Sequence, residues 1–319
     1  MTLTVYAHGE NGRIAAVPDG RLGLVDGGAV WVDLHNPTDA EEALVEATLE
    51  IDVPTATERT ALEESTRFYE EGGAAFFTAT VLARRPDGTQ QRDAITFILA
   101  RSRLVTFRTC KPRAFEIGKG RASARIEEAT SAAGVFLALV EGLIERHADL
   151  LGDAVGQVEI VSETLLQTKG GASFNATLRK LARLGAQAAQ CRDSLGSIGR
   201  LCRYAQAVAE RHGLTASHFR SPAHDVDDLE RQAESLSNDL TFMLDATLGL
   251  VNVEQNGAMK AMAGVTLFFM PPTLIASAFG MNFEEMSIFQ FPNGAWIALA
   301  AMLVSAFGFF WLAKARKWL

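Results

Sequence analysis

The sequence predicts an α/β domain followed by long helices and two C-terminal transmembrane helices, and three observations predict it. Two apolar segments near the C-terminus, 261–281 and 295–313, carry no charge, and each reaches the roughly 20 residues that a helix needs to cross a bilayer. The first 130 or so residues alternate short β-branched and aromatic runs with turn signals. From residue 132 to the first apolar segment the periodicity is helical.

Composition sets the bounds. The chain has 319 residues, 48% hydrophobic and 21% charged, which gives ample apolar material for a core and excludes intrinsic disorder. A net charge of −8 argues against a nucleic-acid partner, which calls for a basic face. Cys110, Cys191 and Cys202 make a sparse, odd set with neither a disulfide framework nor a CxxC metal site, as expected in a reducing compartment. The N-terminal residues have no basic start followed by an apolar stretch, so no signal peptide is expected.

In the α/β part, strands are expected at 29–34, 75–82, 95–99 and 104–108, with Pro86-Asp87-Gly88 as a turn. Thr38 stands three residues before Glu41, the spacing of a capping box, at the head of a helix through about Glu50. No phosphate-cradling glycine motif and no Ser/His/Asp order is recognisable, so no enzyme is expected.

Helices 132–167 and 173–212, separated by Lys169-Gly170-Gly171, should form an antiparallel hairpin. A Pro-containing break at 218–222 then introduces a third helix over about 225–281, roughly 85 Å long at 1.5 Å per residue. Along it Val226, Leu229, Ala233, Leu236, Leu240, Met243, Thr247 and Leu250 recur at alternating spacings of three and four, a heptad seam. So long a rod needs neighbours, and identical copies of itself are the most economical supply. The expected divisions are therefore 1–130, 131–221, 222–282, a loop at 283–294, and 295–319.

The same register continues into the apolar segment through Met259, Ala263, Thr266, Met270, Thr273 and Ser277. Small and hydroxyl residues on one stripe suit either helix–helix packing in lipid or the wall of a pore built from parallel copies. Lys260 precedes the first span and Lys314, Arg316 and Lys317 follow the second, while the loop between them carries Glu284 and Glu285 and no cation. The positive-inside rule then places both termini in the cytoplasm of a multi-pass inner-membrane protein, with Trp296, Trp311 and Trp318 near the lipid interfaces.

The stripe ends in Gly280-Met281-Asn282, within FMPPTLIASAFGMNFEEM. Here the sequence resembles the CorA family of divalent-cation channels, whose hallmark is a Gly-Met-Asn tripeptide closing the first of two C-terminal spans. The resemblance is specific over about 225–319 and architectural before it. It implies a funnel-shaped homo-oligomer, a pentamer, that passes Mg2+ and also Co2+ or Ni2+ under the control of cytoplasmic Mg2+, with no cofactor besides the ions. It implies a selectivity filter at Gly280, Met281 and Asn282, and pore or gate positions at Asn256, Met259, Met262, Met270 and Thr273, with Ala263, Thr266 and Ser277 on the same wall. Mg2+ sheds its water reluctantly, so a ring of Asn282 amide oxygens and Gly280 carbonyls suits the hydrated ion. Glu284 and Glu285 would gather cations at the outer mouth.

Asp245 matches the family's stalk aspartate, which helps to bind regulatory Mg2+ between subunits. The family's partner carboxylate sits in a Leu-Glu-Asp context; this chain instead reads Leu62-Glu63-Glu64, which makes Glu63 the candidate. A ZntB-like zinc transporter of the same fold is the alternative, and a membrane-tethered adaptor or enzyme the more remote one. His212, His218 and His224 are read as solvated turn residues rather than a zinc site. Cys191 and Cys202 are read as packing residues, and Asp225, Asp227, Asp228 and Glu230 as the first turn of the third helix, favoured there by the helix dipole.

Overall fold

The computed structural model describes residues 3–8, 14–17, 28–55, 58–59, 64–84, 90–124, 131–167, 171–281 and 293–316. The chain divides into two compact units, Met1–Leu166 with Arg179–Met243, and Gln167–Leu178 with Leu244–Leu319.

The first unit is built on a seven-stranded sheet. Its strands are β1 (Leu3–His8), β2 (Ile14–Ala16), β3 (Ala29–His35), β4 (Phe68–Glu71), β5 (Ala74–Arg84), β6 (Gln90–Ala100) and β7 (Arg103–Arg108), in the order β2-β1-β3-β7-β6-β5-β4. Only the β3–β7 pair is parallel; the other neighbours are antiparallel. Strand β3, AVWVDLH, is buried on both faces along nearly its whole length, which is why it reads as an apolar run rather than as an alternation.

Successive side chains on each strand serve two cores. One face carries Val5, Val32, Phe76, Ile98 and Val105 against Val45 and Leu49 of α1 (Asp39–Leu49). The other presents Phe77 and Phe97 to the helical layer. Phe97 meets Phe115 of α2 (Arg113–Ala124), and both strand rings meet Phe136 of α3 (Ala132–Gln167). The capping box at the start of α1 forms as its spacing predicts, with Glu41 N donating to Thr38 Oγ1 at 3.4 Å and Thr38 N donating to Glu41 Oε2 at 2.9 Å.

The four expected strands are present, whereas β1, β2, β4 and α2 escaped the sequence reading. Helix α2 hid behind Gly118 and Gly120, poor helix formers whose presence packing explains at Gly118. A Cβ at Gly118 would lie 2.9 Å from Leu139 Cα, and one at Gly142 would lie 2.7 Å from Ala114 O. Helices α2 and α3 therefore cross backbone to backbone, with a glycine from each at the contact.

Helix α4 (Gly171–Val208) begins earlier and ends earlier than expected, giving way to a 3-10 turn at Ala209–Arg211. It covers the edge that β4 leaves open on β5. There Thr80 N donates to Ser197 Oγ at 2.9 Å, and Ser194 Oγ donates to Thr80 O at 2.8 Å, so two serines satisfy an otherwise unpaired strand edge.

Beneath Ser194 lies His147, with Nε2 2.7 Å from Ser194 Oγ and Nδ1 2.7 Å from Leu143 O. Burial pushes its pKa down to about 4, against the smaller opposing effect of the hydrogen bond to the Leu143 carbonyl. In the neutral ring Nδ1–H donates to Leu143 O. The single Ser194 proton then serves both Nε2 and Thr80 O. The unfolded chain, titrating near 6.5, binds the extra proton first, so stability is complete above that value and falls as pH drops towards about 4. The loss should reach about 3 kcal/mol. Unfolding midpoints of the full chain in detergent at pH 7 and pH 4.5 measure it, and His147→Gln should flatten that pH dependence.

Helix α5 (Arg220–Phe279) starts before the expected position and holds Pro222 in its first turn instead of following a break there. Asp225, Asp227, Asp228 and Glu230 consequently lie beyond the first turn, and the dipole explanation fails for them. Ion pairs hold two of them: Asp227 with Arg203 at 3.4 Å, and Asp228 with Arg231 and with His224. His212 is also corrected. Its side chain is only 9% exposed, and Nε2 lies 2.6 Å from Glu70, whose carboxylate also takes a two-point contact from Arg211. These two partners, Arg211 first, hold the Glu70 pKa below the ordinary range. Cys191 and Cys202 are buried, as expected, and burial pushes each thiol up to about 12.

The heptad seam is real, but its partner is not another copy. Val226, Ala233, Leu236, Leu240 and Met243 are buried within the first unit of a single chain. Val226 packs where Gly199 of α4 leaves room: its Cγ1 would lie 3.2 Å from a Cβ at that glycine. Thr247 is buried in the second unit, and Leu250 is exposed.

A candidate ion pathway along the membrane helices

The second unit contains the apolar part of α5 and helix α6 (Gly294–Ala315). Both helices are long and apolar enough to cross a membrane. The two meet at Phe268 and Phe307, whose rings pack edge to face with centroids 6.0 Å apart. On α5 the partly covered positions of this region are Gly264, Leu267, Phe268, Pro271, Pro272, Ile275 and Phe279, a single helical face. On α6 the buried positions are Ala298, Ala306 and Ala313, small residues recurring about every two turns, which let a second backbone come close.

The stripe lies on the other side of α5. At about 3.6 residues per turn, Met259, Ala263, Thr266, Met270, Thr273 and Ser277 point roughly opposite to the α6-packed face, and every one of them is exposed. Asn256 and Met262 flank it and are exposed too. Met262 and Met270 are 73% and 67% exposed, far more than water would tolerate for a row of thioether chains without a cover. The stripe therefore does not pack against the chain's own second span.

Its hydroxyls are preset as acceptors. Thr266 Oγ1 donates to Met262 O at 3.0 Å and Thr273 Oγ1 donates to Phe269 O at 2.7 Å. Each proton is engaged by the helix four residues back, so the oxygen lone pairs remain for an outside donor. A row of such oxygens can receive hydrogen bonds from the water around a cation.

Pro271 and Pro272 interrupt the donor ladder at this level, so the carbonyls of Leu267 and Phe268 receive no i+4 amide. The sequence reading used Pro only as part of a motif and missed this break in the middle of a span. A Pro-Pro pair within an otherwise unbroken apolar run was the available signal.

The helix ends at the tripeptide. Gly280 N donates to both Ala276 O at 2.9 Å and Ser277 O at 3.2 Å, and a Cβ at Gly280 would press against Ala276 O at 3.2 Å. Met281 follows, 50% exposed. Asn282, Glu284, Glu285 and Glu63 lie outside the described residues. Asp245 is exposed on α5, and among the described residues it belongs to no group of three or more carboxylates, histidines and thiols that could hold a metal.

An α/β unit followed by a long helix that becomes the first of two C-terminal apolar helices defines a class, the two-span membrane protein with a large polar head. A family model described as "CorA-like Mg2+ transporter protein" matches residues 26–314, and the chain belongs to that family. The chain is similar to the magnesium transport protein CorA of Mannheimia succiniciproducens, 27% identical over 318 residues that cover 97% of this chain and 98% of that one. It is 28% identical to the magnesium transport protein CorA of Escherichia coli over 291 residues, 91% and 92% of the two chains.

Among solved structures it is similar to the complete CorA magnesium transporter of Methanocaldococcus jannaschii, with a TM-score of 0.76 at 18% identity over 100% of this chain and 99% of that one. The cytoplasmic domain of ZntB from Vibrio parahaemolyticus shares the fold at a TM-score of 0.51 and 14% identity, over 70% of this chain and 87% of that one. The family is one of membrane transporters, not of enzymes.

Proposed function

We propose that the protein carries Mg2+, and also Co2+ or Ni2+, across the inner membrane as a homo-oligomer, a pentamer, with both termini in the cytoplasm. The observation that carries the reading is the direction of the stripe. Hydroxyl acceptors and exposed methionines lie on the face of α5 turned away from α6, and they lead to Gly280-Met281-Asn282. Parallel copies of α5 would close that face around a common axis. Gly280, Met281 and Asn282 then serve as the filter, with Glu284 and Glu285 at its outer mouth. Asn256, Met259, Met262, Ala263, Thr266, Met270, Thr273 and Ser277 line the conduit, whose methionine levels can dewet and close. With the seam from Val226 to Met243 already covered within the chain's own first unit, the contacts between copies fall to exposed apolar residues of α5 such as Phe242, Leu248 and Val253.

The test is ion flux into proteoliposomes, with Mg2+, Zn2+, Co2+ and Ni2+ in competition. Mg2+ is expected to enter, and Co2+ and Ni2+ to compete with it. Zn2+ flux without Mg2+ flux would favour the ZntB-like alternative, and a monomer by light scattering in mild detergent would count against any pore.

Asp245 supplies the gating step. Copies of α5 bring several Asp245 carboxylates near one another, with Glu63 as the partner group. Two such charges about 4–6 Å apart repel by roughly 3–4 kcal/mol at an effective dielectric near 20. Bound Mg2+ relieves the repulsion and favours the closed ring, and its departure shifts the population towards conducting states. Asp245→Lys places a fixed cation there, so protection of the helix from protease should lose its dependence on Mg2+. Retention of the parent's Mg2+ dependence in both protection and current would remove Asp245 from the sensor.

A further inference from the structure

A cleft of about 950 Å3 opens in the first unit between the start of α2, one face of α3 and one face of α4. Arg146, Asp153 and Gln157 line it from α3, spaced by seven and four, and Arg183, Gln187 and Gln190 line it from α4, spaced by four and three. Residues at such spacings share one side of a helix, so two polar faces look into the same space. Lys111 and Arg113 join them from the segment that leads into α2.

The cleft has more positive charge than its own carboxylates answer. Four cations line it, Lys111, Arg113, Arg146 and Arg183, against Glu116 and Asp153. Glu116 is already engaged by Lys119 at 3.2 Å. Among the described residues, the side chains of Lys111, Arg113 and Arg183 have no ion-pair or hydrogen-bond partner.

Arg146 is the more telling group, because it is not a solvated surface cation. Its side chain is only 20% exposed, and the Asp149 carboxylate that faces it lies 3.8 Å away, beyond hydrogen-bond reach. A largely covered guanidinium thus holds its N–H donors without an acceptor among the described residues. Such a group costs free energy unless an occupant of the cleft supplies the oxygens.

We propose that this cleft binds the phosphoryl chain of a polyphosphate, either inorganic or as part of a nucleotide. Its cations stand on three separate elements, which suits several linked oxyanions better than one. The planar forks of Arg113, Arg146 and Arg183 match tetrahedral phosphoryl oxygens at two points each, and the Lys111 ammonium adds a point charge. Gln157, Gln187 and Gln190 offer amides, each both donor and acceptor, to sugar hydroxyls or to the edge of a base. Among the described residues no aromatic ring lines the cleft, so a base would be held by its edge and not by stacking.

The experiment is calorimetric titration of the full-length protein in detergent, with EDTA and at constant ionic strength, using orthophosphate, tripolyphosphate and ATP in turn. Saturable binding of tripolyphosphate is expected, with orthophosphate weaker by about tenfold or more because it offers one group in place of three. ATP binding tighter than tripolyphosphate identifies the nucleotide as the source, and equal or weaker binding identifies the inorganic chain. Arg113→Gln with Arg183→Gln should weaken tripolyphosphate binding by about tenfold or more, the effect of two lost charge-assisted contacts. Arg192→Gln with Arg220→Gln, two exposed cations outside the cleft, should leave the affinity unchanged. Should the first double variant lose its oligomer size, the exposed Arg183→Gln alone supplies the comparison. Absence of saturable tripolyphosphate binding, equal affinity for orthophosphate, no effect at Arg113 and Arg183, or an equal loss in the charge-matched control overturns the proposal.

Discussion

Asn282→Ala is expected to reduce Mg2+ flux into proteoliposomes to the protein-free background, with expression and oligomer size unchanged. Mg2+ holds its first water shell tightly, so selection at the mouth of the stripe must act on the hydrated ion. Water on a dication is a strong donor and requires neutral acceptors placed where the shell passes. Side-chain amide oxygens meet that need, and Asn282 carries the only side-chain amide in the tripeptide. A hydrogen bond from a charged donor contributes about 1.5–3 kcal/mol, so the loss of one amide per subunit multiplies around a ring into several orders of magnitude in occupancy. Asn256→Ala, more than twenty residues before the filter on the same helix, should reduce flux far less. Normal Mg2+ flux in Asn282→Ala would end the filter assignment.

Local rules carried most of the fold. The Thr38–Glu41 capping box, the four central strands and the long helices were legible because each depends on neighbours a few residues away in sequence. Strand β4, with four residues, exists because β5 is there to pair with it, and α2 requires a glycine at 118 because α3 crosses it there at Gly142. Such facts belong to tertiary packing and leave little trace in a local window.

The seam from Val226 to Thr247 shows the same limit more sharply. Its period was correctly legible, yet period says that a partner exists and not which one; Val226, Ala233, Leu236, Leu240 and Met243 are buried within the chain's own first unit, with Val226 set against Gly199 of α4. His212 likewise looked like a turn residue until Glu70, 142 positions away, came beside it. In the apolar region the ambiguity is smaller. Lipid accepts no irregular backbone, so the helical register holds, and the stripe could be drawn from sequence residue by residue. A carboxylate partner for Asp245 could not be drawn in that way, because such a contact would join distant parts of the chain and the family motif that would supply it is altered in this sequence.

Arg108→Met should lower the stability of the full chain by about 3–5 kcal/mol, the largest single effect expected in the first unit. The parallel register of β3 and β7 sets Asp33 opposite Thr106, with Arg108 two residues further on and so on the same face. Both ends of the ion pair are buried, with side-chain exposures of 8% for Arg108 and 3% for Asp33. Arg108 Nε donates to Asp33 Oδ1 at 2.9 Å and Nη2 donates to Oδ2 at 2.7 Å, a two-point contact. Thr106 Oγ1 donates to Oδ1 at 2.8 Å and itself accepts from Trp31 Nε1 at 2.9 Å. The remaining guanidinium nitrogen, Nη1, donates to Cys110 O, and the Phe115 ring lies 4.9 Å beneath the guanidinium carbon. Removing Arg108 therefore strands a carboxylate in the sheet without its cation and frees the segment that leads into α2. The net contribution of a buried pair is small against an apolar replacement, but the cost of breaking one is not, since the abandoned charge keeps its desolvation penalty. The double variant Asp33→Leu with Arg108→Met removes both charges and should recover most of the loss. Urea unfolding of the parent and the two variants in detergent measures both quantities. If the single variant matches the parent, the pair does not hold β3 to β7. If the double variant is no better than the single, the loss comes from packing around Phe115 and not from the stranded charge.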